Sequence, residues 1–154
     1  LNMDLHTNVG MAILDQLKKG FGLDLKRESV LMDEYIKSLS IKCRDSNQKA
    51  KALSGGNQQK VVIAKWLATK PKVLIMDEPT RGIDIGSKNQ IYALINDLAK
   101  QGIGIIMISS ELPEVLQVAN NIVVFAAGKV TGRLENKDLT QDILLDYATS
   151  QKAV

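Results

Sequence analysis

Val73-Leu74-Ile75-Met76-Asp77-Glu78-Pro79-Thr80 decides how the rest of the chain is read. Val73–Met76 is a short, wholly apolar run, which predicts a strand of a parallel sheet buried on both faces. Two adjacent carboxylates, Asp77 and Glu78, stand where that strand ends. Carboxylates beside a buried strand are costly to place, and the C-terminal edge of a parallel sheet is where ligands bind. One carboxylate can hold Mg²⁺, directly or through water, while the next polarises an attacking water as general base. The plainer alternative is a strand that simply stops, followed by solvated acids.

Working outward, the flanking segments alternate between helix and strand. On the N-terminal side, Ser54 is a good cap for a helix through Val61, Val62, Ala64, Lys65 and Leu67 to about Thr69, stopped by Pro71. On the C-terminal side, Ser87 can cap a helix with Ile91, Leu94, Ile95 and Leu98 on one face, closed by Gly102. Ile103–Ile108 reads as a second buried strand and Pro113–Val118 as a short helix. A third strand follows at Ile122–Phe125. Ala127-Gly128-Lys129 then turns the chain back toward Val130–Leu134, and Thr140 can cap a last helix to about Ala148. Strand–helix–strand units in this order predict an α/β fold with a mostly parallel sheet.

Residues 1–52 have a different texture. Val9, Ala12, Ile13 and Leu17 recur at helical spacing up to Gly20, and Val30, Leu31, Tyr35 and Leu39 repeat it over Glu28–Leu39. Gly20-Phe21-Gly22 marks a turn between them, no strand-period segment stands out, and polar Arg44–Lys51 reads as a connector.

Composition narrows the function. With 154 residues, 45% apolar and 24% charged, the chain is in the globular range, with one self-supporting domain expected. A net charge of +3 with 4% aromatics gives no basic, aromatic-laced surface for nucleic acid. No apolar stretch approaches the roughly 20 residues that a membrane helix needs, and Leu1-Asn2-Met3-Asp4 shows no signal-peptide pattern. Cys43, the one cysteine, excludes an internal disulfide and reads as a part-buried small hydrophobe; His6, in a polar start, is expected to be exposed.

Two further stretches carry chemistry. Leu53-Ser54-Gly55-Gly56-Asn57-Gln58-Gln59-Lys60 opens a helix with a hydroxyl and two glycines. Unpaired backbone N–H groups and the positive dipole end there suit an anion, although a simple helix cap would look the same. Arg81-Gly82-Ile83-Asp84-Ile85-Gly86, taken alone, is a glycine-bounded turn containing an acid.

Together, at these spacings, the three stretches resemble the ATP-binding cassette ATPases. Leu53–Gln58 looks like the signature motif, Val73–Glu78 like the Walker B strand and Ile83-Asp84 like the D-loop, and the resemblance covers essentially the whole chain. Gly56-Asn57-Gln58-Gln59-Lys60, Pro79–Gly86 and Ser109-Ser110-Glu111-Leu112-Pro113-Glu114-Val115 narrow it further. They resemble the second cassette of bacterial monosaccharide importers of the ribose, galactose and xylose type, in which one polypeptide carries two fused cassettes. The fold this implies is a partial P-loop NTPase (RecA-like) core with a mostly parallel sheet at 53–154, preceded by part of a helical subdomain at 1–52.

The resemblance also implies roles. Ser54, Gly55, Gly56 and Gln58 would contact the phosphates of ATP held mainly by an opposing cassette. Asp77 would organise Mg²⁺ through water and Glu78 would activate the attacking water. Asp84 would link the two sites, and Ser110 stands where many members carry a switch histidine. The implied partners are a second nucleotide-binding cassette, transmembrane permease subunits and, indirectly, a periplasmic or lipid-anchored sugar-binding protein, with no nucleic acid. The implied place is the cytoplasmic face of the cell membrane.

One departure is large. No Gly-x-x-x-x-Gly-Lys-Ser/Thr stands in these residues, so the phosphate-cradling Walker A loop and its strand are expected to lie before Leu1. Adenine contacts are unassigned for the same reason. The chain by itself is then expected to bind ATP weakly or not at all. A truncated, non-catalytic module that docks on a complete cassette or on the membrane subunits is the alternative. In the family's sheet the Walker A strand separates the strands equivalent to Ile103–Ile108 and Ile122–Phe125. Without it, the chain is expected to close the gap, exchange strands with a second copy, or aggregate.

Overall fold

A computed structural model describes residues 2–150. The chain divides into two compact units, 1–74 with 80–105, and 75–79 with 106–154.

The first unit begins with a broken helix: α1 (Leu5–Gly10), a single 3₁₀ turn at Met11–Ile13, and α2 (Leu14–Leu17). Asp4 caps α1 by accepting from the Thr7 N–H. Two short strands, β1 (Lys18–Lys19) and β2 (Gly22–Leu23), form an antiparallel hairpin, and α3 (Leu25–Ser38) follows, capped by Asp24. The hairpin corrects the expectation of a bare turn, since two residues per strand are too few to show a period. Helix α4 (Gly55–Leu67) and helix α5 (Ile85–Lys100) complete the unit. Leu5, Val9, Leu17, Met32, Val61 and Ala64 form the centre of its core.

Helix α5 starts earlier than expected. Its cap is Asp84, which accepts from the Ser87 N–H at 2.9 Å and the Ser87 hydroxyl at 2.7 Å. Ser87, expected as the cap, instead lies in the first turn and ties that cap down. The closing glycine is as expected: Gly102 has φ +91° just beyond the helix.

Strands β3 (Val73–Asp77) and β4 (Gly104–Ile108) pair with each other. Gly104 N–H donates to Lys72 O at one end and Glu78 N–H to Ile108 O at the other, so the two run parallel. The expectation that both faces are buried is overturned. Leu74 and Met76 are buried, whereas Val73 is 53% exposed and Ile75 is 64% exposed. Strand β4 likewise leaves Ile106 and Ile108 exposed. Strands this apolar are composed for cover on both sides, and within the described residues one side has none.

In the second unit, α6 (Leu112–Val118) precedes an antiparallel pair, β5 (Asn121–Ala126) and β6 (Lys129–Glu135), and α7 (Gln141–Thr149) packs on that pair. Thr140 caps α7 as expected. Gly132 of β6 lies where a Cβ would meet the Tyr147 ring at 2.8 Å, which lets α7 approach closely. Among the described residues β4 pairs only with β3, and β5 only with β6. The gap between Ile103–Ile108 and Ile122–Phe125 is therefore not closed.

Candidate functional site

The end of β3 sets the first group of site residues. Asp77 is its last residue and is exposed. At Glu78 the backbone turns into the left-handed region, φ +46°, a conformation of order 1–3 kcal/mol in cost for a non-glycine residue. Two bonds hold it there. The Glu78 N–H donates to Ile108 O at 2.8 Å, and its carboxylate Oε1 accepts from the Ser110 N–H at 3.0 Å. Glu78 and Ser110, 32 residues apart in sequence, are thus brought together by the parallel pairing of β3 with β4. The loop beyond β4 is fixed in turn: the Ser109 hydroxyl donates to the buried Glu114 carboxylate and accepts from the Glu111 N–H.

No three His, Cys, Asp or Glu among the described residues are grouped to enclose a metal by themselves. A lone exposed carboxylate at a strand end nonetheless suits Mg²⁺, which keeps several waters and binds through one or two carboxylates plus substrate phosphates. Asp77 fits that requirement. Glu78, held by a backbone N–H, keeps one carboxylate oxygen outside that bond.

The N-terminus of α4 carries the second group. Ser54 sits at the cap position, but its side chain makes no cap bond; its Oγ instead accepts from the Asn57 amide at 2.8 Å. The first ladder bond is from Gln58 N–H to Ser54 O. The N–H groups of Gly55, Gly56 and Asn57 precede that ladder, which is the donor arrangement an anion uses.

Both glycines have a packing role that the sequence did not reveal. A Cβ on Gly55 would lie 3.0 Å from Ile83 Cγ2, and one on Gly56 would lie 2.5 Å from Ser87 Cβ and Oγ. Gln58 turns inward, its amide donating to Leu53 O at 2.8 Å, so it supports the loop. Asp84 caps α5, and the Ser87 hydrogen bonds hold its carboxyl below the usual range. Ser54, Gly55, Gly56, Gln58 and Asp84 belong to the first unit, and Asp77, Glu78 and Ser110 to the second.

Sequence reasoning did not mark Lys60 or Glu28, like Glu114 above, as buried ionisable groups. Lys60, on α4, is only 5% exposed and donates to Ser40 O at 3.2 Å and Gln90 Oε1 at 3.0 Å. Glu28 is buried beside His6, whose Nδ1 lies 3.4 Å from its Oε2, while Asp4 lies 3.5 Å from the other ring nitrogen. His6 is therefore part-buried between two acids, not exposed. Its partners are 2 and 22 residues away in sequence, and the distant one gave no local signal. Cys43 is part-buried as expected, and burial pushes its thiol pKa up.

A parallel strand pair ending in Asp77-Glu78 and a Ser-Gly-Gly helix start define an α/β chain whose strand ends and helix start are open to a ligand. It matches the ABC transporter family over residues 3–81, and the chain belongs to that family. It is similar to the ribose import ATP-binding protein RbsA of Shouchella clausii, 46% identical over 149 residues, which is 97% of this chain and 30% of that protein. It is also similar to the xylose import ATP-binding protein XylG of Geobacillus kaustophilus, 44% identical over 152 residues, covering 99% of this chain and 30% of that one. The chain thus spans about 30% of the length of these relatives.

Two solved structures share the fold. The dimeric ATP-binding cassette MJ0796 bound to ADP and Pi matches 89% of this chain and 58% of its own, with TM-score 0.72 and 24% identity. The ATP-binding cassette MJ1267 matches 96% and 63%, with TM-score 0.75 and 22% identity. The P-loop NTPase fold class expected from the sequence is that of these cassettes.

Proposed function

We propose that this chain is the C-terminal part of the second nucleotide-binding cassette of an ATPase that powers monosaccharide import. Residues 1–52 form part of its helical subdomain and residues 53–154 the C-terminal part of its ATPase core. The observation that carries this is Glu78 at the end of β3, held in a left-handed backbone with its carboxylate fixed on the Ser110 N–H, directly after Asp77. Its similarity to ribose and xylose import ATP-binding proteins supports the sugar-import setting.

In this reading Glu78 accepts the proton of the attacking water, and Asp77 would hold Mg²⁺, which would neutralise phosphate charge. The N–H groups at the start of α4, with Ser54, face the terminal phosphate of ATP bound chiefly by a partner cassette. Asp84, locked as the α5 cap, presents a rigid loop to that partner. The permease subunits transmit the work, and the cassette is placed against the cytoplasmic face of the membrane. No described helix is long and apolar enough to cross it.

In the assembled importer, Glu78→Gln is expected to lower hydrolysis at this site about 100-fold or more while ATP binding persists, because a general base is worth roughly 10²–10⁴. Hydrolysis within twofold of the parent protein would remove Glu78 from that role.

A further inference from the structure

The hairpin between α2 and α3 has no part in the site above, yet its build is specific. Leu17, buried at its base, anchors it, and the Asp24 N–H donates to Leu17 O at 2.8 Å, extending the pairing of Lys18 with Leu23 and Lys19 with Gly22. Gly20, at φ +57°, takes the first loop position that a tight hairpin turn reserves for glycine. The second loop residue is Phe21, fully exposed at the apex, and Leu23 and Leu25 are exposed beside it. Lys18 and Lys19 form its first strand, and exposed Lys26 and Arg27 follow its second, with Arg27 Nη1 donating to Gln16 O at 3.0 Å. The acids of the segment, Asp15 and Asp24, lie at its base, within 2.5 Å of Lys18 Nζ and 3.4 Å of Lys19 Nζ respectively.

We propose that this tip binds the anionic surface of a lipid bilayer, with Phe21 entering the headgroup layer and the exposed lysines of the segment, Lys18, Lys19 and Lys26, drawn to lipid phosphates. A lone aromatic on a two-residue turn is a wedge; it gains little against a flat protein face but sinks readily into a fluid interface, where aromatic and leucine side chains with adjoining Lys and Arg are favoured. Four cations outnumber two carboxylates in residues 14–27, so the segment is attracted to a negative leaflet. Phe21 buries nothing in the fold, so its apolar surface is available without unfolding anything.

The test is co-sedimentation of the purified chain with vesicles of phosphatidylcholine alone and of phosphatidylcholine mixed with phosphatidylglycerol. Binding is expected on the anionic vesicles only, and to weaken as salt is raised. Lys18→Glu with Lys19→Glu is expected to lower the partition coefficient by about fivefold or more per side chain. Phe21→Ser is expected to lower it severalfold at unchanged Tm, which separates loss of contact from loss of fold. Equal binding to both vesicle types overturns the proposal, as does no binding to either. So does anionic binding that all the variants retain, which would place the contact elsewhere, on uncovered strand residues such as Ile75 or Phe125.

Discussion

Lys60 shows how a single residue can hold a charge the fold pays for. Its ammonium is buried on α4 between two neutral acceptors, Ser40 O and Gln90 Oε1, and burial lowers its pKa below the ordinary 10.5. Below the folded-state value, both folded and unfolded chains carry the charge and the desolvation cost is full. Above 10.5 neither does. Stability therefore rises as pH climbs from the folded-state value toward 10.5. Urea unfolding across alkaline pH is expected to show this gain in the parent chain relative to Lys60→Met, which lacks the titrating group; parallel pH profiles would contradict it. The same scale shows what a sequence discloses. The place of Asp77 and Glu78 at a strand end was legible because two acids directly follow an apolar run. Lys60 and Glu28 were not, because their surroundings come from residues 20 or more positions away.

At the scale of elements, the contact of α4 with α5 depends on Gly56. A Cβ there would come within 2.5 Å of Ser87, and the nearby Ser87 Cα leaves the side chain no easy retreat. Gly56→Ala is expected to push the two helices apart at a cost of about 1–3 kcal/mol. Each 1 kcal/mol lowers Tm by roughly 2–4 °C for a chain of this size, which thermal unfolding will read. An unchanged Tm would mean that the helix start relaxes freely. Helices were the most legible elements: α4, α6 and α7 fall within a few residues of where their apolar spacing and caps put them. The start of α5 was misplaced because Asp84 and Ser87 both cap well, and only their mutual hydrogen bonds decide between them. The hairpin escaped notice because its strands are two residues each.

For the whole molecule, the strands leave large apolar residues uncovered. Ile75, Ile106, Val123 and Phe125 are exposed on strands whose composition suits cover on both faces, and β4 and β5 are not paired with each other. The α/β class was legible from the order of the segments. The exposed strand faces were not, because an apolar run is the same whether or not its second face is covered. The sequence holds no Gly-x-x-x-x-Gly-Lys-Ser/Thr that would wrap phosphates in backbone donors. We propose that this chain supplies part of a nucleotide site and does not hold ATP alone. Calorimetric titration of the folded chain with ATP and Mg²⁺ tests it most directly. A Kd weaker than about 100 μM, roughly −5.5 kcal/mol, is expected; tighter binding, retained in Glu78→Gln, would overturn the proposal.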